Sequence, residues 1–147
     1  MEQILQAVSA SEMFSLLDGF SGYNQVLVVE PYRLKTTFRT KWGTFAFRRM
    51  PFGLINAGEN FQRAMDIAFC GLIGQSVVFY LDDVTVFSKH RGDHLRHLKQ
   101  IFERCRKYGI SLNWKKSVFV MSEGNLMGHI ITKQGIVVDP KRAKAIA

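Results

Sequence analysis

Two adjacent aspartates, Asp82 and Asp83, interrupt one of the most apolar stretches of the chain, Val77 to Phe87. Aspartate is depleted from strands, and an acidic pair buried without partners inside such a run is costly. The stretch therefore reads as two short strands, Val77–Leu81 and Val84–Phe87, joined at a tip that carries both carboxylates. A hairpin turn with two solvated aspartates satisfies that pattern. So does a rigid platform that offers two hard oxygen ligands to divalent cations.

Asp18 bears on the choice. It ends another apolar run, Met13–Leu17, and precedes Gly19, so its side chain can emerge at a strand end. Alone it is a turn aspartate. If its strand lies beside the Asp82-Asp83 hairpin, three carboxylates converge and repel one another unless cations sit among them. Two Mg²⁺ ions about 3.5–4 Å apart relieve that repulsion and clamp the oxygens of an in-line phosphoryl transfer.

The rest of the chain alternates between helix-like and strand-like segments. Ile4, Leu5 and Val8 suggest a short leading helix, Gly19–Gly22 a turn, and Val26–Val29 a strand. Thr36–Thr40 and Thr44–Arg48 flank Trp42-Gly43 as a hairpin. Phe61, Ala64, Met65, Ala68, Phe69 and Leu72 recur at helical spacing, with Asn56 and Glu59 as a capping box. A second helix, capped by Asp93 and ended by Gly109, sets Leu95, Leu98, Phe102 and Cys105 on one face. Its His94 and His97, with His90 nearby, lack further ligands of zinc type and read as a solvated face. Strands follow at Ser117–Met121, Leu126–Ile131 and Ile136–Val138, and Asp139-Pro140 signals another helix start. The whole order predicts an α+β fold, with helices on one face of an antiparallel sheet.

Composition narrows the function classes. The chain has 147 residues, 47% of them hydrophobic, and a mean hydropathy of −0.01, which fits one globular domain. No apolar run reaches the roughly 18–20 residues of a membrane span, and residues 1–10 do not read as a secretion signal. Cys70 and Cys105 stand far apart and read as free thiols. A formal net charge of +8 favours a polyanionic partner, of which nucleic acid is the commonest.

Three segments carry a resemblance. Phe14-Ser-Leu-Leu-Asp18-Gly-Phe-Ser-Gly-Tyr23-Asn-Gln25, Met50-Pro-Phe-Gly53-Leu-Ile-Asn56-Ala57 with Phe61-Gln62, and Val78-Phe-Tyr80-Leu-Asp82-Asp83 resemble the reverse transcriptases of gypsy-type LTR retrotransposons, in order and spacing. Asn113-Trp-Lys-Lys116 and Leu126-Met-Gly128-His129 resemble the two motifs that follow. The resemblance covers essentially the whole chain. It implies a polymerase palm, a ferredoxin-like antiparallel sheet with part of the fingers, forming a single domain over residues 1–147.

The same resemblance implies roles. Asp18, Asp82 and Asp83 become the catalytic carboxylates and, with the Gly19 carbonyl, the ligands of two Mg²⁺ ions, for which Mn²⁺ can substitute. Tyr23 becomes the ring under the incoming sugar, which selects dNTPs against a ribose 2′-hydroxyl. Phe52 and Gly53 border the same nucleotide, Phe52 being usual in the gypsy group where retroviral enzymes often carry Gln. Lys116 becomes the general acid for pyrophosphate, although a surface lysine fits equally. Arg33, Lys35, Arg39, Asn56 and Tyr80 contact template or primer, the three basic residues alternatively forming a solvated strand face. Met127, Gly128 and His129 become the primer grip.

The implied substrates are dNTPs and an RNA or DNA template with its primer; the implied covalent neighbours are protease, RNase H and integrase domains of a Pol polyprotein. A cytoplasmic virus-like particle or the nucleus is the expected setting. Two features depart from the family pattern. Gly58 stands where proline is usual, and only 17 residues precede Asp18, so most of the fingers, the thumb and RNase H are expected to be missing. A truncated, inactive fragment that at most binds nucleic acid is the alternative reading, and a nucleotidyl cyclase is a more distant one.

Overall fold

The computed structural model describes residues 2–80, 83–126 and 128–138, so the expectations placed on Leu81, Asp82, Met127 and Asp139-Pro140 lie outside the described residues. Its centre is a four-stranded antiparallel sheet built from β1 (Met13–Gly19), β4 (Val77–Tyr80), β5 (Asp83–Ser88) and β6 (Leu112–Met121). The spatial order is β4-β5-β1-β6. A two-stranded hairpin, β2 (Phe38–Thr40) with β3 (Gly43–Phe45), stands apart from it. A three-stranded meander joins β7 (Gly124–Leu126), β8 (His129–Thr132) and β9 (Gly135–Val138).

Helices α3 (Ala57–Ala68) and α4 (His94–Tyr108) cover one face of the central sheet. Leu17, Val77, Phe79, Val84 and Val86 share a core there with Phe61, Met65 and Ala68 of α3 and Leu98, Ile101 and Cys105 of α4. Each such Val, Leu, Ile, Phe or Met side chain contributes about 1.5–3 kcal/mol by leaving water. A second cluster on the other face joins Phe14, Val78 and Phe87 to Leu126 and Ile131 of the meander, and to Val8 of α1 (Glu2–Val8). With both faces covered, β1 and β5 are buried at successive residues rather than at alternate ones. Among the described residues, no helix is long and apolar enough to cross a membrane.

Several local expectations are corrected. Val26–Val29 forms no strand: it follows a 3₁₀ turn, Gly22–Gln25, and holds its neighbour by a single bridge, Leu27 to Arg49. The ladder stops because α2 (Glu30–Arg33) begins immediately afterwards, with Pro31 in its first turn. The β2–β3 hairpin is shorter than expected and closes tightly, since Thr40 pairs directly with Gly43. Asn56 is the N-cap of α3 but makes no side-chain capping bond, and Asp93 before α4 makes none either, bonding Arg96 instead. Leu126–Ile131 is not one strand: Leu126 ends β7 and His129–Ile131 lie in β8, antiparallel to it, with Gly128 at φ +76°.

The buried face of α4 is also rotated from the expected one. Leu95 is 73% exposed and Phe102 41%, whereas His94 is 2% exposed. The solvated reading of His94 therefore fails, because the sheet offers it polar partners that leucine could not use. Its Nε2 lies 2.8 Å from Ser15 Oγ of β1, and its Nδ1 2.8 Å from Ser88 Oγ of β5. Ser88 Oγ also lies 2.7 Å from His97 Nδ1.

Candidate active site

The backbone register supplies the central geometry. In the antiparallel pair of β1 and β5, Asp18 stands directly opposite Asp83, and in the pair of β4 and β5, Tyr80 stands opposite the same Asp83. Side chains alternate across a strand, so Asp18 shares its face with Phe14 and Asp83 shares its face with Phe87. Both carboxylates thus emerge on the face away from α3 and α4, where the second core cluster lies. Asp18, Tyr80, Asp83 and Lys116 line one cavity of about 190 Å³ together with Thr85 and Asn125.

That cavity is chemically mixed. Two acidic residues and a lysine line it, and directly opposed like charges on neighbouring strands destabilise a sheet. The donor set of hard oxygens is one that suits Mg²⁺ or Mn²⁺. Asp18 and Asp83 contribute two carboxylates, and Asp82 lies outside the described residues; among those described, no group of three or more metal-binding side chains converges. Thr85, 1% exposed, has a hydroxyl with no hydrogen-bond partner among the described residues. Sequence reading missed Thr85 and Asn125 because neither lies in a recognisable motif.

Lys116 reaches the cavity through an irregularity in β6. Asp18 pairs with Asn113 but Leu16 pairs with Val118, so residues 114–117 face Leu17 alone. The bulge is closed by Ser117, whose hydroxyl accepts the Asp18 N–H at 3.2 Å and donates to the Asn113 carbonyl at 2.8 Å. Bulges of this kind re-aim side chains and are frequent beside active sites.

Tyr23 and Phe52 form a second group. The ring of Tyr23 stands edge-on to Phe52 at 5.2 Å and to Phe61 of α3 at 5.3 Å. Such contacts fix the ring from two sides. A Cβ added at Gly58 would lie 3.9 Å from the Tyr23 hydroxyl, an ordinary contact without a clash.

Lys35, Gly53 and Asn56 line a larger open groove of about 840 Å³ with Val26–Val29 and Tyr32. Gly53 has φ +90°, a conformation that favours glycine. The Lys35 ammonium sits 4.7 Å from the Tyr32 ring centre. Arg33 turns inward, donating from Nε to the Val28 carbonyl at 3.1 Å, whereas Arg39 is exposed on β2. The structure brings neither arginine to the lining of the two cavities. Gly19 pairs with Leu112 at the end of β1. His129 begins β8 opposite Leu126, with an enclosed Nδ1 that has no partner among the described residues.

Comparison with known proteins now fits this geometry. Residues 2–131 match the family described as reverse transcriptase (RNA-dependent DNA polymerase). The chain is 36% identical to the retrovirus-related Pol polyprotein from transposon 412 of Drosophila melanogaster, over 99% of its own length and 12% of that protein. It is 36% identical to the Pol polyprotein from transposon gypsy of the same fly, over 97% of its length and 14% of that protein. A solved foamy viral protease-reverse transcriptase in complex with an RNA/DNA hybrid superimposes with a TM-score of 0.83 at 21% identity, covering 98% of this chain and 19% of that one. A foamy viral protease-reverse transcriptase dRH in complex with double-stranded DNA gives a TM-score of 0.85 at 21% identity, covering 97% of this chain and 25% of that one. The chain therefore spans about an eighth of the curated fly relatives it matches. Matched along most of its length by one family and by these relatives, the chain belongs to the reverse transcriptase (RNA-dependent DNA polymerase) family.

Proposed function

We propose that the chain is the palm, with part of the fingers, of an RNA-directed DNA polymerase from a gypsy-type Pol polyprotein. It adds dNTPs to a primer 3′-hydroxyl on an RNA or DNA template. One observation carries the reading: Asp18 and Asp83, distant in sequence, are register partners at the end of the central sheet. Enzymes of this family generally use divalent metal ions. Two Mg²⁺ ions, with Mn²⁺ able to substitute, supply charge neutralisation at the attacking and leaving oxygens when bound.

The chain's own residues do the remaining work. Asp18, Asp82 and Asp83 offer carboxylate oxygens, and the Gly19 carbonyl adds another donor. The primer 3′-hydroxyl gives up its proton to solvent as its oxygen bonds to the α-phosphorus, while the bond from that phosphorus to the α–β bridging oxygen breaks. Lys116, a residue lining the cavity with both acids, supplies a proton to the departing pyrophosphate. Tyr23, held by Phe52 and Phe61, carries the sugar of the incoming nucleotide and selects against the ribose 2′-hydroxyl. Gly53 lets the backbone approach the nucleotide closely. Lys35 and Asn56 on the larger groove, with Arg33, Arg39 and Tyr80, border the template and primer. Met127, Gly128 and His129 hold the primer end.

The partners are dNTPs, the primed template, and the protease, RNase H and integrase domains of the same polyprotein, in a cytoplasmic virus-like particle or the nucleus. Manganese titration followed by NMR tests the assignment, since the ion broadens nearby amides even when binding is weak. Broadening centred on Asp18 and Asp83 supports the reading. Broadening centred elsewhere, or spread evenly over the acidic surface, contradicts it.

A further inference from the structure

We propose that Ser117 is a positioning residue: its hydroxyl staples the β6 bulge to the backbone of Asp18, setting the spacing between Asp18 and Lys116. The proposal rests on the polymerase reading for its functional consequence and on hydrogen bonds for its geometry.

The bulge creates a problem that Ser117 solves. Residues 114–117 oppose Leu17 alone, so the ordinary ladder between β1 and β6 breaks at the residue that leads into Asp18. A break leaves backbone groups without ladder partners, and an enclosed N–H left unpaired is destabilising. The Asp18 N–H finds the Ser117 hydroxyl at 3.2 Å. That hydroxyl passes its own proton to the carbonyl of Asn113, the residue paired with Asp18, at 2.8 Å. One side chain therefore satisfies a donor on β1 and an acceptor on β6, closing the bulge across its base.

Lys116 rides on that closure. It is the residue before Ser117 and lines the cavity that holds Asp18 and Asp83. A lysine has a long, flexible stem, so its ammonium is placed well only if its backbone is fixed. The second irregularity of β6 uses the same device in reverse. There the Val120 N–H, on a residue at φ +57°, donates to Ser15 Oγ of β1 at 3.0 Å. Two serine hydroxyls, one from each strand, thus hold β6 to β1 where the regular ladder fails.

The test compares Ser117→Ala with Ser117→Thr in the full chain, by two readouts. Amide hydrogen exchange at Asp18 reads the bond itself: exchange rises at least ten-fold in S117A and stays near wild type in S117T. Primer extension reads the consequence: S117A lowers kcat at least ten-fold with KM for dNTP within about two-fold, and S117T restores kcat. Unchanged exchange at Asp18 in S117A overturns the staple. Faster exchange with unchanged kcat overturns the positioning role. An S117T variant as impaired as S117A also overturns it, because the hydroxyl is then not what matters. If the wild-type chain does not extend primers even when supplied with the flanking polyprotein segments, the polymerase reading fails, and exchange at Asp18 decides the staple separately.

Discussion

Asp18 and Asp83 face each other across the β1–β5 ladder, two carboxylates placed in direct register by strands sixty-odd residues apart in sequence. Like charges directly opposed on neighbouring strands repel one another. Replacing Asp18 with Asn is expected to raise stability, by a few tenths to about 1 kcal/mol, in metal-free buffer. Added Mg²⁺ should raise the melting temperature of the wild type more than that of the variant, because ligands stabilise the state that binds them. Urea unfolding with and without metal checks both effects. Equal stability and equal metal response would remove the carboxylate pair from the account.

The buried hydrogen-bond chain behind the site gives a pH dependence. With His94 neutral and its proton on Nδ1, every proton finds an acceptor: the Val120 N–H donates to Ser15, the Ser15 hydroxyl to His94 Nε2, His94 Nδ1–H to Ser88, and the Ser88 hydroxyl to His97 Nδ1. That arrangement needs a neutral His94. Burial, and then the neighbouring His97, push the His94 pKa below its ordinary 6.5. The unfolded chain therefore takes up a proton that the folded one refuses, and stability falls as pH drops below about 6.5. Above that value both forms are neutral and the contribution is complete. Urea midpoints between pH 8 and 5.5 should decline for the wild type and decline less for His94→Gln. At lower pH, Glu12, held below the usual carboxylate range chiefly by its bond to Lys133, adds a further loss as it becomes protonated.

Gly58 sits in the first turn of α3, where it weakens the helix without contributing a contact. Gly58→Ala should stabilise the chain by up to about 1 kcal/mol. The new methyl meets the Tyr23 hydroxyl at an ordinary distance, so no penalty offsets the gain. Thermal unfolding reads the change. A destabilised variant would mean that the space beside Tyr23 is already in use.

The two cysteines should react very differently. Cys70 is exposed, while Cys105 is buried in the α4 core and its thiol is pushed up to about 11 by that burial. Since the thiolate is the nucleophile, a maleimide should label Cys70 in the native protein and Cys105 only after unfolding. Mass spectrometry of the labelled peptides distinguishes them, and early labelling of Cys105 would contradict the packing of α4.

Much of this was legible in the sequence, for identifiable reasons. Apolar runs bounded by Asp18 and Asp83 define β1 and β5, and the helical spacing of Phe61, Met65 and Ala68 defines α3. Pairing of β1 with β5 follows from no local pattern; the family resemblance supplied it, and the register agrees. His94 was misread because periodicity records polarity, and a histidine satisfied by two serines from other strands looks like a surface residue. Ser117 was invisible as a functional residue, since a bulge depends on how two strands align rather than on either sequence alone. Val26–Val29 has strand composition, yet a 3₁₀ turn before it and α2 after it leave room for a single bridge.

Primer extension tests the central claim most directly. The purified chain is given a DNA primer on an RNA template, with dNTPs and Mg²⁺, beside Asp18→Asn and Asp83→Asn. The account predicts Mg²⁺-dependent incorporation by the wild type and a loss of about 10²–10³ or more in each variant, the scale for removing one charge-stabilising group from a polar active site. Incorporation that persists undiminished in both variants would contradict it, as would none from the folded wild type even when it is supplied with the flanking polyprotein segments.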